Sequence, residues 1–120
     1  MKLSVLPNTS TPAYKQLYDQ ISSQILSGVL KSGTALPPIR TVSKELGISV
    51  ITVRSAWDAL IAEGFVEARA GSGCYVAPFT DEMVLKRRAD ALKAPLEELL
   101  STARSLGFTK KELIKIIEKA

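Results

Sequence analysis

Apolar positions along the chain change their period several times, and each change marks an element. From Pro12 onward, Tyr14, Leu17, Tyr18, Ile21, Ile25 and Leu26 fall three and four residues apart, the spacing of one face of an amphipathic helix. Pro12 lies just ahead of the first turn, where proline is tolerated, and Gly28 is the expected stop. The preceding MKLSVLPNT lacks this period and reads as a short extended arm. After KSGTALPP, a turn and a short extended piece, Ile39, Val42 and Leu46 share one face of a short helix between Pro38 and Gly47. A left-handed Gly47 is the expected C-terminal device.

The next stretch, GISVITVR, is strand-like by propensity, since Ile48, Val50, Ile51, Thr52 and Val53 are β-branched. Its flanks argue for a helix. Ser49 is a strong N-cap residue, and Ile48 and Val53 then occupy the paired positions of a hydrophobic staple. Ala56, Trp57, Leu60 and Ile61 follow Val53 at helical spacing, and Gly64 closes a helix over about 50–63. β-branching costs a few tenths of a kcal/mol per residue. Burying five apolar side chains returns roughly 1.5–3 kcal/mol each, so the helix prevails.

Phe65–Arg69 and Cys74–Ala77 are β-prone pieces around Ala70-Gly71-Ser72-Gly73, which predicts a hairpin over about 65–77 with a glycine-rich tip. Helical patterning then resumes at Thr80, with Asp81 and Glu82 in the first turn. Pro95 should break or kink that helix near Ala94. Gly107 ends the next piece, and Thr109 with Glu112 forms a capping-box pattern for a last short helix. The expected fold is mainly α with a small β-wing: a winged helix-turn-helix over 11–78, then a short helical tail over 79–120.

Composition narrows the function classes. The chain is 46% hydrophobic and 23% charged, as soluble globular proteins are. No apolar run nears the roughly 18 residues that span a bilayer, and MKLSVLPNTSTP lacks a signal-peptide core, so a cytoplasmic protein without a membrane partner is expected. Histidine is absent, which removes the commonest general base and metal ligand. With no nucleophile constellation either, the reading is neither an enzyme nor a cofactor or metal protein. Cys74 is the one cysteine, so no disulfide forms within the chain, and it reads as a small buried hydrophobe. The net charge of +4 suits a polyanion without deciding for one.

Two short helices joined by Leu46-Gly47-Ile48-Ser49 make a helix-turn-helix, whose second helix can lie in a DNA major groove. Burying Val53, Ala56, Trp57, Leu60 and Ile61 leaves Val50, Ile51, Thr52, Arg54 and Ser55 near the exposed N-terminal end. Recognition helices turn that end to the base edges. Arg54 can bond guanine or a phosphate, Thr52 can donate to either, and Val50 or Ile51 can touch a thymine methyl. Ser49 and the free N–H groups of the first turn can hold a phosphate. Gly71-Ser72-Gly73 would let the wing backbone approach the sugar-phosphate chain or the minor groove. Val50 and Ile51 have a second reading, as core or as an apolar protein contact. In that case the domain is an interaction module that does not bind DNA. Tyr14, Tyr18 and Trp57 read as core.

These motifs resemble the DNA-binding domain of the GntR family of bacterial transcription regulators over about residues 11–77. The resemblance rests on PAYKQLYDQI, on Leu-Pro-x-x-Arg ahead of the second helix, on Thr-Val-Arg in the third and on the Gly-x-Gly wing. It implies DNA contacts from Arg40, from Ser49, Val50, Ile51 and Thr52 with Arg54, and from Gly71, Ser72 and Gly73. Many members carry arginine and a small polar residue where Val50-Ile51 stands, so their operator preference does not transfer. The short tail resembles that of the YtrA-type subfamily. Its Leu92, Leu96, Leu99, Leu100, Ala103 and Leu106, with Leu113, Ile116 and Ile117, present more apolar surface than so short a segment can bury alone. A two-fold homodimer through the tail is expected; the alternative is that the tail folds back on its own winged domain. A dimer would set two recognition helices about 34 Å apart on near-palindromic double-stranded operator DNA. The resemblance further implies a repressor of a small, transporter-linked operon. An unidentified small-molecule effector would then use a dimer or interdomain crevice.

Overall fold

The computed structural model describes all 120 residues, and the chain divides into two compact units, Met1–Thr80 and Asp81–Ala120. The first holds α1 (Ala13–Leu26), α2 (Ile39–Leu46), α3 (Val50–Ala62) and an antiparallel hairpin of β1 (Val66–Arg69) and β2 (Gly73–Val76). The second holds α4 (Asp81–Ser105) and α5 (Lys110–Lys119).

The core of the first unit is made by the seams read from the sequence. Leu17, Ile21 and Ile25 of α1 cluster with Val53, Ala56, Trp57 and Leu60 of α3, joined by Leu30, Leu36, Val42, Phe65, Val66 and Val76. Tyr18 is half-buried and meets Phe65 edge-on, with ring centres 6.1 Å apart. Two expected members fall outside: Tyr14 and Ile61 are exposed. Each stands at the end of its seam, where the opposing helix offers less cover.

The turn between α2 and α3 is fixed from both sides. Gly47 adopts φ 67°, ψ 35°, a left-handed conformation that costs a residue with a Cβ more than it costs glycine. Ile48 N–H donates to Ser43 O at 3.1 Å, and the Ser43 hydroxyl donates to Ile48 O. Ser49 then caps α3, its Oγ accepting from Thr52 N at 3.1 Å. The β-branched stretch is therefore helical.

In the hairpin, Val66 faces Val76, Glu67 faces Tyr75, Ala68 faces Cys74 and Arg69 faces Gly73. The second edge of β2 is also occupied, which the sequence did not announce. Gly33 N donates to Val76 O at 2.9 Å, Val76 N to Thr34 O at 2.8 Å and Leu36 N to Cys74 O at 2.9 Å. This pairing ties the loop before α2 to the wing and sets Arg40 near the wing tip.

The N-terminal arm is fastened by a ladder of glutamines on α1. Leu6 N donates to Gln16 Oε1 at 2.8 Å and Gln16 Nε2 donates back to Leu6 O at 3.0 Å. Ser4 and Gln20 exchange the same two bonds, and Gln24 Nε2 donates to Lys2 O at 3.1 Å. The pitches explain the match. Four helical residues climb about 6 Å and two extended residues about 6.6 Å, so a glutamine at every fourth helix position meets every second arm residue. Leu3 and Val5, between the rungs, pack against the core.

In the second unit α4 continues through Pro95, so of the expected break or kink the break does not occur. Proline at 95 removes one intrahelical bond, the one to the Ala91 carbonyl. Both residues are exposed, so solvent can serve that carbonyl while the flanking turns hold the helix. The corner to α5 is closed by Phe108 N donating to Ala103 O at 2.9 Å. The expected capping box forms: Thr109 N donates to Glu112 Oε1 at 3.0 Å and Glu112 N to Thr109 Oγ1 at 3.2 Å. The hydrogen bonds from the Thr109 backbone, then from its side chain, hold the Glu112 carboxyl below its usual range. Ala103 and Leu113 are buried at this corner, and Leu100 is half-buried. Leu92, Leu96, Leu99, Leu106, Ile116 and Ile117 stay 44% to 70% exposed. No helix of the chain is long and apolar enough to cross a membrane.

Candidate nucleic-acid interface

A crevice of about 360 Å³ opens where the start of α2, the start of α3 and the wing converge. Arg40, Val50 and Arg54 line it together with Ser72, Gly73 and Cys74, and Trp57 contributes to its wall. Three different elements thus deliver two guanidinium groups and a slim wing tip to one concave surface. The pairing of residues 33–36 with β2 supplies one side, and the capped start of α3 supplies another.

The remaining sequence-predicted residues lie around this crevice rather than in its lining. Ile51 projects from the first turn of α3 and is 78% exposed. Ser49 and Thr52 share a hydroxyl–hydroxyl bond of 2.8 Å, so both are already oriented at the helix start. Ser55 turns away, its Oγ donating to Ile51 O at 3.0 Å. Gly71 opens the wing tip with φ 72°, and Gly73 follows with φ 118°; both are conformations that side-chain-bearing residues rarely adopt.

The charges here are uncommitted. On α1, Lys15 and Asp19 pair at 3.2 Å, whereas Arg40 and Arg54 have no carboxylate partner. Two exposed, unpaired guanidinium groups beside a concave wall favour an anionic ligand. Cys74 is half-buried and packs against the core. Burial first and the nearby Asp58 carboxylate second push its thiol above the ordinary value, which keeps it protonated and weakly nucleophilic at neutral pH.

Sequence reasoning missed Arg69 and Tyr75. The Arg69 guanidinium lies 4.1 Å from the centre of the Tyr75 ring. The available signal was the hairpin register: with residue 69 opposite residue 73, position 75 falls on the same face as position 69.

Ser49 offers a direct check on the start of α3. Ser49→Ala should lower the stability of the winged unit by about 1 kcal/mol, the usual loss of an N-cap bond, measured by urea denaturation. An unchanged midpoint would mean that the Thr52 amide finds another acceptor.

Comparison with known proteins identifies the family. The family model described as "Bacterial regulatory proteins, gntR family" matches residues 13–76. The "HTH-type transcriptional repressor YtrA" of Bacillus subtilis (strain 168) is 26% identical over 117 residues, covering 98% of this chain and 90% of that protein. The "Probable rhizopine catabolism regulatory protein MocR" of Rhizobium meliloti is 42% identical over 82 residues. That alignment takes in 68% of this chain but only 17% of the larger relative. Among solved structures, a GntR family transcriptional regulator from Listeria monocytogenes superposes with a TM-score of 0.83 at 24% identity, covering 95% of this chain and 99% of that one. The DNA-binding domain of AraR, solved in complex with operator ORX1, gives a TM-score of 0.57 at 28% identity, covering 64% of this chain and 99% of that one. The chain belongs to the gntR family of bacterial regulatory proteins and is a transcriptional regulator of the YtrA type.

Proposed function

We propose that this regulator is a homodimeric repressor that binds a near-palindromic operator. Arg40, Arg54, Val50, Ser72 and Gly73 form the central contact surface, and Ser49, Ile51, Thr52 and Gly71 flank it. The observation that carries this reading is the convergence of two unpaired arginines and the wing tip on one crevice. Helix α3 enters the major groove by its N-terminal end, where Ile51 meets a thymine methyl and Arg54 a guanine or phosphate. The capped first turn of α3 takes a phosphate through its N–H groups. The operator complex of the AraR domain supports assigning duplex DNA as the ligand of this surface. The activity is binding alone, without catalysis, metal or cofactor.

The tail supports the dimer. Leu92, Leu96, Leu99, Leu106, Ile116 and Ile117 are apolar and largely uncovered within the chain, and a second copy is the economical cover. Ala103 and Leu113 serve instead as the packing that shapes the α4–α5 corner.

Fluorescence anisotropy tests the reading, using the duplex upstream of the protein's own gene and a scrambled duplex at two salt concentrations. The expected result is a preference of about 10³ or more for the upstream site, at two chains per duplex, weakening steeply with salt. Weak, salt-insensitive binding to both duplexes would instead favour a protein-interaction module that docks through Val50 and the exposed Ile51.

A further inference from the structure

The wing carries a second arrangement, on its outer face, that shares only Ser72 with the crevice. Along β1 and β2, Val66 and Val76 are buried and Cys74 packs against the core, so the alternate residues Glu67, Arg69 and Tyr75 occupy the opposite, outer face. On that face the Arg69 guanidinium lies over the Tyr75 ring, 4.1 Å from its centre. The Tyr75 hydroxyl bonds to the Ser72 hydroxyl and donates to Ser72 O at 3.3 Å. Ser72 N in turn donates to Arg69 O at 3.0 Å. One aromatic ring therefore holds a cation on its face and the tip backbone by its hydroxyl.

This arrangement fixes a normally floppy side chain beside the slimmest part of the wing. Gly71 and Gly73 have open space where a Cβ would stand, so the tip is thin enough for a groove about 6 Å wide. Arg69 has no carboxylate partner, and Glu67 on the same face sits two residue pairs farther from the tip. A planar, weakly hydrated guanidinium held this way suits a narrow, strongly negative channel better than a lysine would.

We propose that Arg69, positioned by Tyr75, inserts into the minor groove flanking each half-site and makes binding prefer A·T-rich flanks. The proposal rests on the DNA-binding reading above and adds a specificity determinant to it. A·T-rich minor grooves are narrow and attract arginine. The minor groove does not separate A·T from T·A, so the preference is for composition and not for a fixed base order.

The test uses the full chain and the upstream duplex in two versions, identical at the centre, with flanks made wholly A·T or wholly G·C. Wild type should prefer the A·T-flanked duplex by roughly tenfold. Arg69→Ala should bring that ratio close to one while changing affinity for the G·C-flanked duplex by less than about threefold. Tyr75→Leu should lower the ratio, whereas Tyr75→Phe, which keeps the ring, should retain most of it. A role confined to folding would move both affinities together and leave the ratio intact, and that result overturns the proposal. So does uniform weakening by Arg69→Ala, which marks a plain phosphate contact. If wild type binds neither duplex, the DNA-binding reading itself fails, a result distinct from binding that ignores the flanks.

Discussion

Replacing Trp57 with alanine is expected to leave the winged unit largely unfolded near physiological temperature. Trp57 is 2% exposed and sits in the middle of the α3 seam that faces Leu17, Ile21 and Ile25. Trp→Ala in a packed core costs about 3–5 kcal/mol, against a total of only about 5–15 kcal/mol for a typical domain. A small unit belongs at the low end of that range. The check is urea denaturation followed by far-ultraviolet circular dichroism, since the chain's one tryptophan is lost. With a urea slope of about 1–3 kcal/mol per molar, the midpoint should fall by roughly 2 M. A fall below about 0.5 M would mean that Trp57 is not a keystone of this core. Trp57 also helps wall the crevice, so Trp57→Phe should stay folded yet weaken DNA binding by shifting Arg40 and Arg54.

The second large effect falls on binding and spares the fold. Arg40→Ala and Arg54→Ala should each lower operator affinity by about 1–3 kcal/mol, roughly five- to 150-fold. The two groups share one crevice, so the double variant will not show the simple sum. Exposed side chains without partners contribute little to stability, and melting should move by no more than about 0.5 kcal/mol equivalent. The salt dependence separates their roles. Losing a phosphate contact lowers the slope of log affinity against log salt by about 0.9, and weakens operator and scrambled duplex alike. Losing a guanine contact weakens the operator selectively. If both single variants bind as wild type does, the crevice is not where this regulator grips DNA.

Much of the winged unit was legible because its signals are local. The Ser49 cap, the Gly47 turn and the seams of α1 and α3 each depend on residues within two turns of one another. What escaped depends on pairings between distant segments. Gln16, Gln20 and Gln24 carried no signal of their own, because a glutamine ladder becomes meaningful only once an extended arm lies along it. KSGTALPP reads as a turn and a short extended piece, but nothing local says that this piece pairs with β2. Arg69 and Tyr75 needed the register of the hairpin. Pro95 does not break α4, because the exposed Ala91 carbonyl that it leaves unbonded can be served by solvent. The sequence names Arg40, Val50, Arg54, Ser72 and Gly73 separately; that they line one crevice came from the fold. Their individual roles belong to the DNA complex.

The way the arm is fastened bears on how this regulator should respond to its ionic surroundings. Amide rungs from Gln16, Gln20 and Gln24 carry no charge, and screening acts on charges. The core beneath them is apolar, and the Lys15–Asp19 pair on α1 is exposed, so it contributes only about 0.3–0.5 kcal/mol. Added salt should therefore loosen the protein's hold on a polyanion long before it loosens the winged unit itself. In a titration the fold acts as a rigid ruler, and the measured slope counts neutralised phosphates with little contribution from the folding equilibrium.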